Sequence, residues 1–224
     1  MLLLAFDTAT PAVTVALHDG ARVLAEESAV DARRHGELLA VSIQRVLAAA
    51  NAAAGDLTGI AVGVGPGPYT GLRVGLVTAR VLASALGVPV HGACTLDVIA
   101  RAAASGLAGT GAGDTAGGDF IVATDARRKE VYWARYTATA QRISGPGVSA
   151  PGELDACCPV AGEGARLYPA ELGAPIEPRY PSAAWLADLT AERISRGAPA
   201  LAAEPLYLRR PDARIPGPLK RVTP

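Results

Sequence analysis

The sequence predicts an α/β protein of two subdomains with mixed sheets and helices, and three stretches of the chain lead to this prediction. Residues 58–93 read as strand, turn, helix and strand, which is a βαβ unit. Residues 2–28 read as three strands with a hairpin. Residues 105–118 contain six glycines, which favours a flexible loop between subdomains. We therefore expect subdomains at 1–104 and 119–210, the last helix packing back on the first subdomain, and a tail at 211–224.

Length and composition limit the classes of function. The chain has 224 residues, half of them hydrophobic, and can bury a sizeable core. Its 21 basic and 21 acidic residues cancel, which argues against a free-standing nucleic-acid or membrane-surface binder. The start, MLLLAFDTAT, lacks a basic segment and its apolar run stops at Asp7. We therefore expect neither a signal peptide nor a spanning helix, and a cytoplasmic location.

The opening segment is predicted to form strands at residues 2–6, 12–17 and 22–28. The first strand ends in the sequence DTAT at 7–10, where Asp7 allows two interpretations. A carboxylate at a strand end can organise a metal ion. An aspartate that opens a turn commonly accepts hydrogen bonds from the backbone that follows it. The sequence leaves both interpretations open.

A helix is predicted at residues 34–53, ended by Gly55. His35 and Glu37 open this helix. The chain has histidines only at 18, 35 and 91, so none has the i,i+4 spacing of a helical metal site. His35 is therefore interpreted as a helix-start residue.

The central βαβ unit begins with an apolar run at 58–64 and a turn at 65–68. A helix follows at 71–86, for which Thr70 is the expected N-cap and Gly87 the expected C-cap. The turn lacks the Gly-Lys-Ser/Thr ending of a phosphate-binding P-loop. It is therefore interpreted as a tight structural turn.

The helix at 71–86 is apolar around most of its circumference. Only Arg73, Arg80 and Ser84 share a narrow polar arc. One sheet cannot cover so wide an apolar surface. The helix therefore lies either deep in the core or against a helix of another chain.

The second half of the chain is predicted to form shorter elements. These are a helix at 95–104, strands at 120–124, 130–137 and 158–161, and a helix at 182–196. The turn at 125–129, with the sequence DARRK, is either solvated or a contact for acidic groups. The proline-spaced tail is expected to be disordered.

Five short motifs, in this order along the chain, resemble those of one protein family. They are DTAT at 7–10, HGELL at 35–39, GPGPYTGLRVG at 65–75, TDARRKEVYWARY at 124–136 and PLYLR at 205–209. Together they make the chain similar to the TsaB (YeaZ) family over nearly its whole length. The chain departs from the usual family pattern at Gly36, Pro68 and Tyr69. The resemblance implies an actin-like ATPase fold (ASKHA, ribonuclease H-like).

The resemblance also implies a function in bacterial tRNA modification. Members of the family act as non-catalytic subunits beside the catalytic subunit TsaD and the ATPase TsaE. The complex transfers threonylcarbamoyl from threonylcarbamoyl-AMP to the adenosine next to the anticodon, in tRNAs that read codons beginning with A. The resemblance implies no catalytic residue, cofactor or metal in this chain, with ATP and metal on the partner subunits and tRNA reached through the complex.

In the family, two helices of TsaB pair with two helices of TsaD, and the same surface often forms a homodimer when TsaD is absent. The matching helices here are those predicted at 34–53 and 71–86. The candidate interface residues are Leu38, Leu39, Val41, Ile43, Leu72, Arg73, Leu76, Val77, Arg80 and Ala83.

Three other functions are weighed against this one. A small-molecule kinase or ATPase of the same fold would use Asp7 for a metal and the turn at 65–71 for phosphate, but residues 124–127 lack the glycines of a second phosphate loop. A metallopeptidase would need a His-x-x-x-His pair. A direct tRNA-binding module would depend on residues 127–129 and the tail.

Overall fold

A computed structural model describes residues 1–109, 118–198 and 201–209. These residues form two five-stranded sheets. The first sheet contains β1 (Leu3–Asp7), β2 (Ala12–His18), β3 (Val23–Val30), β4 (Gly59–Gly63) and β5 (Val90–Ala93). The second contains β6 (Phe120–Asp125), β7 (Val131–Tyr136), β8 (Arg142–Ser149), β9 (Val160–Ala161) and β10 (Pro175–Ile176). The helices are α1 (His35–Ala49), α2 (Tyr69–Leu86), α3 (Thr95–Gly109), α4 (Glu163–Leu167), α5 (Pro169–Leu172) and α6 (Ala183–Ser195).

The first sheet is mixed and covered by helices on both faces. Its order is β3-β2-β1-β4-β5, with β1 antiparallel to β2 and parallel to β4. Alternate residues of β1 face opposite sides: Leu4 packs in the cluster with α1 and α2, whereas Leu3 packs in the cluster with α6. Every residue of β1, β2 and β4 is buried, which explains their nearly continuous apolar sequences.

The second sheet is also mixed, with the order β10-β9-β6-β7-β8. α3 covers one face, where Ile99 lies in a cluster with Phe120 and Tyr136. Ala165 of α4 and Leu172 of α5 lie in the cluster on the other face. Alternation along β6 and β7 therefore fills a core on each side of this sheet.

Two helices each pack on the sheet that does not contain the strand preceding them in the chain. α3 follows β5 of the first sheet yet packs on the second, and α6 follows the second sheet yet packs on β1 and β2 of the first. The hydroxyl of Tyr136 donates to Oδ1 of Asp97 at 2.7 Å, which fixes the start of α3 to β7. Leu206, close to the end of the described chain, contacts the cores of both halves. The two subdomains are therefore tied together at several points.

The central helices start and end differently from the prediction. α2 begins at Tyr69 with Pro68 at the N-cap, so the expected Thr70 cap is wrong, whereas Gly87 has the predicted left-handed conformation with φ 67°. α1 begins at His35 as predicted but ends at Ala49. Asn51, with φ 50°, turns the chain there, and Gly55 lies in a separate short 3-10 turn (Ala54–Asp56).

The glycine-rich segment was only partly predicted. Residues 105–109 continue α3, so the loop expected at 105–118 is wrong for its first part, and residues 110–117 and the tail at 211–224 lie outside the described residues. The prediction also missed β8, whose glycines and Pro146 lie in a strand at the edge of the sheet. Within the described ranges, no helix is long and apolar enough to cross a membrane.

Candidate partner interface and the two strand-end turns

The turn that follows β1 encloses its aspartate. The Asp7 side chain is fully buried: Oδ1 accepts a hydrogen bond from Ala9 N at 2.7 Å, and Oδ2 accepts one from Thr95 Oγ1 at 2.7 Å. Burial raises the pKa of Asp7 above its ordinary value, although these hydrogen bonds oppose the shift. A Cβ on Gly63 would lie 1.8 Å from Oδ2. The carboxylate therefore acts as a turn-forming group that is enclosed by the chain.

The glycine-proline turn and α2 lie directly on this first turn. Thr8 Oγ1 donates to Gly71 O at 2.7 Å and accepts from Gly75 N at 3.0 Å. A Cβ on Gly67 would lie 2.1 Å from Ala9 O, so only glycine fits there. The glycines of the GPGPYTGLRVG motif thus serve close backbone packing. The backbone at Gly67 therefore lies directly against the backbone that follows β1.

The turn that follows β6 is built differently. Arg127, Arg128 and Lys129 have φ of 61°, 54° and 60°, so three consecutive residues with side chains adopt the left-handed conformation. Each such residue costs about 1 kcal/mol or more relative to the right-handed form. Asp125 supports the turn, since its Oδ1 accepts from Arg127 N at 2.7 Å and its Oδ2 pairs with the Arg127 guanidinium at 3.0 Å. All three basic side chains are exposed.

The two turns meet at one cavity of about 210 Å³ between the subdomains. Thr8, Thr10 and Thr70 line it from the first subdomain, and Arg127 lines it from the second. Nε2 of His35 also lies there and is 2.8 Å from Thr10 O. Among the residues that the structure describes, no group of three or more histidine, cysteine, aspartate or glutamate side chains is placed to hold a metal ion.

Residues 201–209, here called the C-terminal strap, lie across the end of the first sheet. Leu206 N donates to Val64 O at 2.8 Å. Arg80 Nη2 donates to Ala203 O at 2.7 Å. Arg80, a predicted interface residue, is therefore engaged by the strap.

The strap also forms an exposed cluster of aromatic and basic side chains, here called the tyrosine cluster. Tyr207 stacks on Tyr69 with ring centroids 5.4 Å apart and an interplanar angle of 26°. The guanidinium of Arg73 lies 4.5 Å from the centre of the Tyr69 ring. Two residues after Tyr207, Arg209 Nη1 donates to Ala126 O at 2.9 Å. The strap thus connects the start of α2 with the turn after β6.

The two predicted partner helices lie side by side on the first sheet. Their first turns are in contact, since a Cβ on Gly71 of α2 would lie 3.4 Å from Nε2 of His35 in α1. The outward sides of α1 and α2 form one surface on the first subdomain. The predicted interface residues divide between this surface and the core.

Half of the predicted interface residues belong to the chain's own core. Leu39, Ile43, Leu72, Leu76 and Ala83 are buried, so their prediction as direct partner contacts is wrong for this fold. They face the sheet because they recur at the spacing of one helix face. The exposed members are Val41, Arg73, Val77 and Arg80, and Leu38 is half-buried. The wide apolar arc of α2 therefore has a core side and an outer side.

The sequence prediction missed three exposed side chains that lie on α2 or pack against it. Val81 follows Val77 by four residues on α2 and is 62% exposed. Because Val81 lies one helical turn after Val77, the helical period alone could have placed both on the same side of α2. Tyr69 and Tyr207 are also exposed. Their contact joins residues 138 positions apart, so no local pattern could reveal it.

Comparison with known proteins agrees with the motifs. A sequence model of the family described as TsaD: tRNA N6-adenosine threonylcarbamoyltransferase matches residues 22–170, more than half of the chain. An uncharacterized protein of Mycobacterium tuberculosis is 43% identical over 216 residues, covering 95% of this chain and 93% of that protein. The chain spans 56% of a Mycobacterium leprae relative that is 42% identical.

Two further proteins carry the family names. The tRNA threonylcarbamoyladenosine biosynthesis protein TsaB of Escherichia coli is 35% identical over 136 residues, which is 61% of this chain and 55% of that protein. The crystal structure of YeaZ from Pseudomonas aeruginosa superposes with a TM-score of 0.76 at 28% identity, over 92% of this chain and 99% of that one. With the two mixed sheets, this likeness confirms the predicted actin-like, ribonuclease H-like fold class. The chain belongs to the TsaB (YeaZ) family.

Proposed function

We propose that this chain is a non-catalytic subunit of a cytoplasmic complex that makes threonylcarbamoyladenosine in tRNA. In this proposal TsaD is the catalytic partner and TsaE supplies ATPase activity. The complex transfers threonylcarbamoyl from threonylcarbamoyl-AMP to the adenosine next to the anticodon, in tRNAs that read codons beginning with A. The names of the TsaB relatives and of the matching family support the pathway.

The exposed valines on α1 and α2 carry the proposal of a partner. Val77 is 57% exposed and Val81 is 62% exposed, one turn apart, and Val41 is exposed on the neighbouring helix. Aliphatic side chains left in water on adjacent helices are typical of a helix-packing surface. Full burial of each would contribute roughly 1.5 to 3 kcal/mol. We therefore propose that TsaD, or a second copy of this chain in its absence, covers this surface.

The first strand-end turn supports a non-catalytic role. Asp7 is enclosed and hydrogen-bonded within the chain, and the backbone at Gly67 occupies the adjoining space. A kinase or ATPase of this fold would need that carboxylate to face a metal and nucleotide phosphates. We therefore assign ATP and metal to the partner subunits. ATP hydrolysis that survives repurification and disappears in Asp7→Ala would contradict this assignment.

The partner surface is tested by placing a charge on it. Val77→Glu and Val81→Glu should leave the melting temperature of the isolated chain unchanged at a concentration where the chain is a monomer, because both side chains are in water in the monomer. Each should weaken TsaD binding by about 100-fold or more, because an unpaired carboxylate would be buried at the interface. The measurements are binding of purified TsaD by calorimetry and threonylcarbamoyladenosine content in a complementation strain.

Val30→Glu is the matched control for this test. Val30 is 60% exposed on the edge strand β3, so its substitution places the same charge at a similar exposure on an element other than α1 and α2. It should bind TsaD like the unmodified chain. If both α2 variants fold and still bind TsaD with unchanged affinity, the two-helix interface is wrong for this protein.

A further inference from the structure

We propose that this chain itself binds RNA, through a basic face formed by the turn after β6 (residues 125–130), the C-terminal strap and the tyrosine cluster. This goes beyond the proposed function, in which RNA is held by the complex as a whole. The tyrosine cluster adjoins the outer valines, since Tyr69 and Arg73 precede Val77 by eight and four residues on α2, but the basic turn lies outside α1 and α2. The proposal is tested on the chain alone, so it can fail without affecting the proposal of a TsaD partner.

Charge is concentrated on this face in a chain that is neutral overall, with 21 basic and 21 acidic residues. The cations of the face are Arg73, Arg127, Arg128, Lys129 and Arg209, and its carboxylates are Asp125, Glu130 and Glu204. Five cations against three carboxylates suit the phosphate backbone of a nucleic acid.

The tyrosine cluster supplies stacking surface beside these charges. Tyr69 and Tyr207 are each about half exposed although they stack on one another, and Arg73 lies over the Tyr69 ring. Unpaired bases of RNA stack on tyrosine rings and on arginine planes. The cluster is held by its own contacts, so little ordering would be needed when a base binds.

The charges and the aromatic rings are held next to each other by the fold. Arg209 of the strap donates to Ala126 O and forms an ion pair with Glu130, so the strap is anchored on the basic turn. Arg127 and Thr70 line the same cavity, and Thr70 adjoins Tyr69 in α2. A strand of RNA could therefore contact both without a change in the fold.

The composition of the turn is unusual for its backbone. Turns that need left-handed residues are most easily made with glycine or asparagine, whereas this turn has Arg-Arg-Lys at three consecutive left-handed positions. Backbone geometry alone does not explain these residues. Binding of anionic phosphates explains why basic side chains are present despite the strain.

RNA with unpaired bases is the occupant that both features favour. An acidic protein surface would be attracted by the charges and would pack on the tyrosine rings, but each nucleotide of RNA supplies both a phosphate and a base that stacks. RNA is attracted by the charges and can stack on the rings. The experiment below separates these two partners.

The test measures binding of a fluorescein-labelled, unmodified tRNA transcript to the full-length chain at several salt concentrations. The unmodified chain should bind with an affinity that falls steeply with salt. In the triple variant Arg127→Asn, Arg128→Asn, Lys129→Asn, affinity at low salt should fall at least about 10-fold, and the slope of log affinity against log salt should decrease by roughly 2. Asparagine is used because it tolerates the left-handed conformation.

A charge-matched control removes three arginines from other surfaces: Arg22→Asn, Arg45→Asn and Arg196→Asn. It should retain the affinity and the salt slope of the unmodified chain. Tyr207→Leu should weaken binding roughly 10-fold with an unchanged salt slope, because it removes stacking and no charge.

Three outcomes would overturn the proposal. The first is that the unmodified chain shows no salt-dependent binding of the transcript. The second is that the turn variant and the charge-matched control lose affinity equally, which would indicate attraction to net charge alone. The third is that the turn variant binds the transcript normally but loses TsaD, which would assign the face to a protein partner.

Discussion

The two turns that follow an aspartate at a strand end, after β1 and after β6, have corresponding places in the two sheets but differ in their packing. In an enzyme of this fold both turns would hold phosphates. Here the first is closed, because Asp7 is buried and the backbone at Gly67 packs on Ala9. The second is open to solvent but has arginines and a lysine where glycines would be required. The closed turn stabilises the fold by close packing, whereas the open turn presents basic side chains to solvent.

The largest expected effect comes from forcing the closed turn apart. In Gly67→Ala, the new Cβ would lie 2.1 Å from Ala9 O, so backbone on one side or the other must shift. We expect a loss of at least about 3 kcal/mol in the free energy of unfolding, measured by denaturant titration. Gly36→Ala in α1 is the matched control, since its Cβ would meet nothing within 4 Å. It should be neutral or stabilising by up to about 1 kcal/mol. Equal stability of Gly67→Ala and the unmodified chain would mean that the two segments pack less closely than described.

Much of this framework could be predicted from sequence, because apolar runs and turn residues are local signals. β1, β2, β4 and α2 were predicted to within a few residues on that basis. The end of α3 was not, because glycines at 106 and 109 indicate a loop unless packing on the second sheet is known. Local preference is routinely overridden by such packing.

The candidate surface was harder to predict than the fold. Leu76 and Val77 are adjacent and equally apolar in sequence, yet one is buried and the other exposed. Only the position of the sheet decides between them. The contact of Tyr207 with Tyr69 depends on the path of the strap after α6, which no short-range pattern encodes. Long-range packing therefore defines both the partner surface and the basic face.

A smaller effect is expected in the pH dependence of stability, which should differ between the buried Asp7 of the closed turn and an aspartate in an exposed turn. Burial raises the pKa of Asp7, so the folded chain binds this proton more tightly than the unfolded chain does. The resulting stability is fully present below the ordinary aspartate pKa and is lost as pH rises through the folded value. Asp7→Asn does not titrate. Its stability relative to the unmodified chain should therefore increase from acid to neutral pH in denaturant titrations.

Asp19, in the hairpin between β2 and β3, provides the opposite sign. Hydrogen bonds from the backbone N–H groups of Ala21 and Arg22 lower the pKa of Asp19. Its contribution is present above the ordinary aspartate pKa and is lost as pH falls. Asp19→Asn should therefore be at a growing disadvantage as pH rises from acid to neutral. If both variants follow the same trend with pH, burial does not control the titration of Asp7.

The smallest expected effect concerns the strain of the open turn. Lys129 has φ 60°, a conformation that glycine adopts without a steric cost. Lys129→Gly should therefore stabilise the chain by about 0.5 kcal/mol, the relief of strain exceeding the added entropy of the unfolded state. Arg45→Gly in α1 is the control and should destabilise by about 1 kcal/mol, because glycine is unfavourable in a helix. A gain in stability together with weaker RNA binding would mean that the open turn retains its lysine at the expense of stability. If Lys129→Gly instead destabilises the chain, the lysine side chain supports the turn, and strain gives no reason to assign the basic residues a binding role.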